Sequence, residues 1–187
     1  MTNDSLDSSV SNLLTGRVAW VFGDDFDIDL IIGVQNIKSY DPAHLSSVCM
    51  KTFDEDFGTV VRRGDVIVGG RNFGYGHPHY PAMIAMRNAG IVAVIAESFA
   101  PGFWRGEIYQ GMPLVSLPGI TAKVDRWDLL ELDWRNASVL NITTGARLQG
   151  QPLNPHSIDV IEAGGGYRLL LAQYGTAAAV ARLESDS

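Results

Sequence analysis

A chain of 187 residues suggests one domain, and its 46% apolar content supplies a core and excludes global disorder. A formal charge of −7 with a pI near 4.9, and no basic cluster beyond Arg62-Arg63, exclude nucleic acid as a main partner. The single cysteine, Cys49, can form no internal disulfide and cannot by itself hold a thiolate-ligated cluster.

Met1 to Asn12 is polar and acidic, without the apolar run or basic flank of a signal peptide. No apolar run approaches the roughly 20 residues a membrane helix requires. A cytoplasmic protein without membrane association is expected. Residues 1–14 and 184–187, rich in Ser, Asp and Asn, read as flexible tails around a single domain spanning 15–183.

Gly16 to Phe22 predicts a first strand, stopped by the acidic loop Gly23-Asp24-Asp25-Phe26-Asp27. Asp41-Pro42 predicts a short helix through about Met50, capped by Asp41. Arg63-Gly64-Asp65 turns into the apolar strand Val66 to Gly69, and a glycine-rich stretch follows to Gly76. Residues 79–89 predict a helix stopped at Gly90, and Ile91 to Ala96 a strand buried on both faces.

Ser98 is expected to cap a helix reaching about Gln110, before a strand at Leu114 to Leu117. Residues 138–149 predict a β-hairpin turning at Thr144-Gly145. Pro155 to Ala163 reads as a helix, and Tyr167 to Tyr174 as a last one ending at Gly175. Strands alternating with helices through the middle imply an α/β domain with a largely buried central sheet.

The densest chemical signal lies between Gly64 and Gly111. A glycine-rich turn between a buried strand and a helix N-terminus presents free backbone N–H groups, which suit a carboxylate or phosphate at residues 74–79. The same glycines could equally serve only to make a tight turn. Neither the Gly-Lys-Ser/Thr ending of a P-loop nor the dinucleotide Gly-x-Gly-x-x-Gly spacing is present.

His77 and His79 lie in this turn, and paired imidazoles suit proton transfer near neutral pH or, with further ligands, a metal. No zinc-site spacing accompanies them, and no metal is expected on this chain. The run Asp24, Asp25, Asp27 and Asp29 lacks the pattern of a calcium loop and reads as a solvated turn. Asp29 is the exception, because it abuts the apolar Leu30-Ile31-Ile32 and can be held in a site. Phe99, Phe103, Trp104 and Tyr109 read as core packing.

Taken together, these motifs resemble the small, swivel-domain subunits of the aconitase and isopropylmalate dehydratase superfamily. Gly23 to Ile32 is similar to that family's G-D-[DN]-[IV]-[DS]-T-D-x-I-x, and Gly64 to Gly76 to its G-D-[IV]-[IV]-V-[AG]-G-x-N-F-G-C-G. Ala89 to Ala100 resembles A-G-I-x-A-V-I-A-x-S-F-A, Gln110 to Leu114 resembles N-G-[LM]-x-x, and Ile161 to Gly165 resembles a closing I-x-x-G-G.

The resemblance implies a swivelling β/β/α domain that caps a separate large subunit carrying an iron–sulfur cluster, with no cofactor on this chain. It implies reversible dehydration of a small hydroxy acid, with Asn72, Gly74, Tyr75, Gly76 and Tyr80 lining the substrate and Asp29 in the site. Where the family reads S-S-R-E-H-A, this chain reads His77-Pro78-His79-Tyr80-Pro81-Ala82. The family's serine base thus falls on His77, its substrate-clamping arginine on His79 and its glutamate on Tyr80.

Replacing a bidentate arginine by histidine removes a charge-assisted pair worth about 1.5–3 kcal/mol, which argues against an ordinary malate-type diacid. Residues 30–40 also depart from the family pattern on the substrate side. The expectation is a hydro-lyase subunit with His77 as base and His79 as second acid/base. Two alternatives stand beside it: a non-catalytic regulatory subunit, and a stand-alone small-acid or metal-binding protein using His77 and His79.

Overall fold

The computed structural model describes residues 13–185. Its strands are β1 (Leu13–Val21), β2 (Val66–Gly69), β3 (Ala93–Ala96), β4 (Leu114–Ser116), β5 (Leu129–Asp133), β6 (Ser138–Asn141) and β7 (Arg147–Gln149). Its helices are α1 (Pro42–Val48), α2 (Phe57–Val60), α3 (Tyr80–Ala89), α4 (Pro101–Tyr109), α5 (Pro155–Glu162) and α6 (Gly166–Ser185).

The strands join in one sheet in the order β4-β3-β2-β1-β5-β6-β7. Its two halves differ in kind. From β1 to β4 every pairing is parallel, and β2 and β3 are buried at every position, as Val-Ile-Val-Gly and Ala-Val-Ile-Ala require. From β1 through β5, β6 and β7 the pairing is antiparallel, and in β5 only Leu130 and Leu132 are fully buried. The expected α/β class is therefore present, with an antiparallel wing attached.

β1 belongs to both halves, pairing with β2 along one edge and with β5 along the other, and a bulge interrupts it between Val18 and Trp20. The strand begins before the domain start expected at residue 15, because Leu13 and Leu14 pair with Asp133 and Leu132. Residues 1–12 and 186–187 of the expected tails lie outside the described residues, whereas Glu184 and Ser185 belong to α6.

Two further expectations change. No element is predicted from sequence over Leu129–Asp133. Pairing with β1 makes it a strand and buries Leu130 and Leu132. At Gly175, φ is 73° and the helical path breaks as expected, but it resumes and runs to Ser185.

The site-bearing helix α3 is set by local chemistry at both ends. Pro81 sits in its first turn, and Gly90 closes it in the left-handed region at φ 111°. A Cβ at Gly90 would lie 2.7 Å from Arg63 Cα, so the close approach as well as the φ requires glycine. Between these ends Ala82, Met83, Ala85 and Met86 are buried and tie α3 into the hydrophobic core.

Candidate active site

The site forms where the loop after β1 meets the loop after β2. The acids of the first loop are not a merely solvated run, because each has a partner. Asp24 receives the Arg71 backbone N–H at 2.7 Å and its guanidinium at 2.6 and 2.9 Å. The guanidinium and backbone N–H of Arg71 hold the Asp24 carboxyl below its ordinary range. Asp25 accepts from the Asn72 side-chain amide at 2.7 Å.

Asp27 caps the single turn Ile28–Ile31 by accepting the Asp29 N–H at 3.0 Å. That cap aims Asp29 inward, where it is 6% exposed, and at the second loop. Its Oδ1 accepts the His79 backbone N–H at 3.0 Å, and its Oδ2 lies 2.7 Å from His79 Nδ1.

An ionised carboxylate only accepts hydrogen bonds, so Nδ1 carries the proton toward Asp29. A neutral His79 then presents Nε2 as its basic nitrogen. His77 sits beside it, with ring centroids 5.3 Å apart in an edge-to-face arrangement. The His77 side chain is exposed and has no hydrogen-bond partner among the described residues. One imidazole is thus oriented and the other is free to reorient.

The glycines of the turn answer to packing beneath it. Gly74 has φ 83°, and a Cβ there would fall 2.2 Å from Phe103 Cγ. Phe73 is fully buried under the turn, stacked on Phe26 at 5.8 Å and edge-on to Phe103 at 5.5 Å. Phe99 also packs edge-on against Phe73, in line with the expected packing role, and Trp104 is partly buried against the core, but Tyr109 is 41% exposed.

The expectation of free N–H groups across residues 74–79 is corrected in part. The Phe26 carbonyl accepts from Gly74 at 3.0 Å and Tyr75 at 3.2 Å, and Asp29 takes the His79 N–H. Gly76 and His77 keep backbone N–H groups without an acceptor among the described residues. Tyr75 and Tyr80 are exposed at 53% and 47%, while the Asn72 side-chain amide is turned to Asp25.

Ser98 does not cap α4, whose N-cap is Ala100; its hydroxyl accepts the Asn72 N–H at 2.9 Å and so fastens the turn. The structure thus brings Asp29, His77, His79 and Tyr80 to one place. Sequence reasoning left Glu107 unmentioned. It is 3% exposed, paired with Arg87, and lines a cleft beside His79. A glutamate at the i+4 position from an inward phenylalanine of α4 was the available signal.

Among the described residues no three His, Cys, Asp or Glu side chains converge to hold a metal ion, and no helix is long and apolar enough to cross a membrane. The Cys49 thiol is buried and its pKa is pushed up to about 12 by that burial, so it does not present a thiolate ligand.

No family model matches the chain. The isopropylmalate/citramalate isomerase small subunit of Methanocaldococcus jannaschii is 40% identical over 154 residues, covering 82% of this chain and 91% of that protein. A 3-isopropylmalate dehydratase small subunit of Methanopyrus kandleri is 40% identical over 85% of this chain and 93% of its own length. The methanogen homoaconitase small subunit of Methanothermobacter thermautotrophicus is 38% identical over 83% and 89% of the two chains. The crystal structure of a Methanocaldococcus jannaschii 3-isopropylmalate dehydratase superposes with a TM-score of 0.77 at 33% identity, covering 86% of this chain and 95% of that one. The swivel-type fold implied by the motifs is borne out.

Proposed function

Since the chain belongs to the isopropylmalate dehydratase small-subunit family of the aconitase superfamily, we propose that it is the small subunit of a hydro-lyase whose proton-transferring group is an imidazole. The observation that carries the reading is the Asp29–His79 clamp in the turn that the resemblance assigns to the substrate. His77 takes the place of the serine base and removes the proton next to the substrate carboxylate. His79, fixed by Asp29, is the second acid/base.

Two chemical requirements are met at once. Imidazoles exchange protons near neutral pH, and a general acid–base contribution of about 10²–10⁴-fold needs a positioned group. The unclaimed N–H groups of Gly76 and His77 are the donors left for a substrate carboxylate. A neutral or singly protonated imidazole holds that carboxylate less firmly than an arginine fork, which supports a substrate other than an ordinary malate-type diacid.

A large subunit is the partner, and the iron–sulfur cluster belongs to it. Two observations weigh against the other readings. A non-catalytic subunit would not require a clamp on the His79 ring, and a stand-alone metal site would require ligands beyond His77 and His79.

The test is to express this chain with a neighbouring large subunit and purify through a tag on this chain alone. Co-purification of a brown protein that dehydrates a hydroxy acid, with turnover lost in His77→Ala and His79→Ala, supports the reading. A partnerless colourless chain, or full activity in both variants, overturns it.

A further inference from the structure

The geometry points to a site for a hydrated divalent cation of the magnesium class, held by Asp128 where the β4–β5 connection meets the β6–β7 turn. The site is independent of the hydro-lyase reading, since His77, His79 and Asp29 do not line it. It revises the expectation that no metal binds this chain.

A buried charge is normally paired or coordinates an ion, because leaving water without a counter-charge is costly. The other buried acids among the described residues obey this rule. Asp29 meets His79, Asp65 meets Arg17 and Glu107 meets Arg87. Asp128 is 8% exposed and has no cationic partner among the described residues. Its Oδ2 accepts the Asp125 N–H at 2.9 Å and the Asn141 side-chain amide at 2.7 Å. Its Oδ1 has no donor among the described residues and is not sealed in the core, so its open side is the depression that Asp128 lines.

The carboxylate is also held in place. Asn141 is fully buried and, besides Asp128, donates to the Lys123 carbonyl at 2.9 Å. Its own oxygen accepts the Thr143 and Thr144 N–H groups at 3.0 and 3.2 Å. One side chain thus fixes the carboxylate and both loops around it, the arrangement that outer partners give to a metal ligand.

The depression measures about 460 Å³. At about 30 Å³ per water it has room for an ion with its hydration shell. Asp125 brings a second carboxylate, Thr121 and Thr144 bring hydroxyls, and no His, Cys or Met lines the wall. Oxygen donors alone select a hard cation over zinc or copper. Magnesium retains several waters and is held through one or two carboxylates, so Asp128 and Asp125 suffice. Lys123 also lines the rim, but it is exposed and forms an ion pair with neither acid. An ion here ties the β4–β5 connection to the hairpin turn, and Thr121 carries the tie to Glu97 through its hydroxyl at 2.6 Å.

The test titrates Mg²⁺ into the full chain, with K⁺ at matched ionic strength as control, and follows ¹H–¹⁵N spectra. Saturable shifts are expected at the Asp125, Asp128, Thr144 and Gly145 amides with Mg²⁺ and not with K⁺. Hydrogen exchange at the same amides should slow when Mg²⁺ is bound. Asp128→Asn keeps the shape and removes the charge, and should weaken Mg²⁺ binding by at least about 10–100-fold, the loss that outer partners of a metal ligand already command. Lys123→Ala should tighten binding by removing a competing cation.

Near-UV circular dichroism verifies that each variant folds. If Asp128→Asn does not, Asp125→Asn at the exposed second acid decides, with a smaller loss of affinity expected. No shift in the parent chain, equal shifts with K⁺, or unsaturable shifts spread over the acidic surface overturn the site. Undiminished Mg²⁺ affinity in a folded Asp128→Asn, or in Asp125→Asn where that variant decides, overturns it as well.

Discussion

Asp29 holds His79 at two points, accepting the backbone N–H at 3.0 Å and meeting Nδ1 at 2.7 Å, across 50 residues of sequence. The backbone bond fixes where α3 begins, and the ring bond fixes the tautomer. Asp29→Asn tests the second function separately from the first. Its amide can still accept the backbone N–H, but its NH₂ now faces Nδ1 and moves the imidazole proton to Nε2. The expected result is a fall in kcat of about 10²-fold or more, with ¹⁵N shifts of His79 that exchange between the two nitrogens. Unchanged ¹⁵N shifts would show that Asp29 does not control the ring.

The packing beneath the turn gives a stability prediction. Gly74→Ala places a methyl 2.2 Å from Phe103 Cγ at a φ of 83°. Overpacking contributes about 1–3 kcal/mol and the left-handed backbone about 1–2 kcal/mol, so a loss of about 3 kcal/mol is expected. The urea midpoint should fall with no change in slope. A loss below about 1 kcal/mol would mean that α4 yields easily to the turn.

Much of the fold was legible because its signals were local. Val66–Gly69 and the Gly90 stop of α3 follow from apolar runs and one left-handed glycine, and both stand where expected. What escaped depended on distant pairing. Leu129–Asp133 is a strand only because β1 offers it an edge, and Ser98 serves Asn72 rather than the helix that follows it. In the site, the type and spacing of His77 and His79 were visible. That Asp29 would choose His79 was not, since the choice is made by the Asp27 cap and the angle at which two loops meet.

Glu107 provides a pH dependence. Burial raises its carboxyl above the ordinary range, against the pull of the Arg87 guanidinium. The native state therefore keeps this proton more tightly than the unfolded chain. Its contribution to stability is complete below the ordinary carboxylate pKa and is lost as pH rises through the native value. Glu107→Gln removes the titration, so the stability difference between parent and variant should shift against the parent as pH rises from about 4 toward neutrality. Chemical unfolding of both proteins across that range measures it, and a difference independent of pH would place the pair's titration outside the window.

Cys49 gives the last prediction, and it reports on the core. The thiol is 3% exposed, and burial raises its pKa to about 12. The reactive species is the thiolate, so at pH 8 the folded chain offers neither the ionised form nor a path to it. Iodoacetamide should leave the native protein unmodified over times in which the urea-unfolded chain reacts fully. The residual native rate should rise with denaturant in step with global unfolding. The sign for stability matches that of Glu107: the thiol's contribution is intact below its ordinary pKa of 9.0 and declines as pH climbs toward about 12. Rapid labelling at pH 8 without denaturant would mean that the segment joining α1 to α2 opens on its own, independently of the sheet it covers.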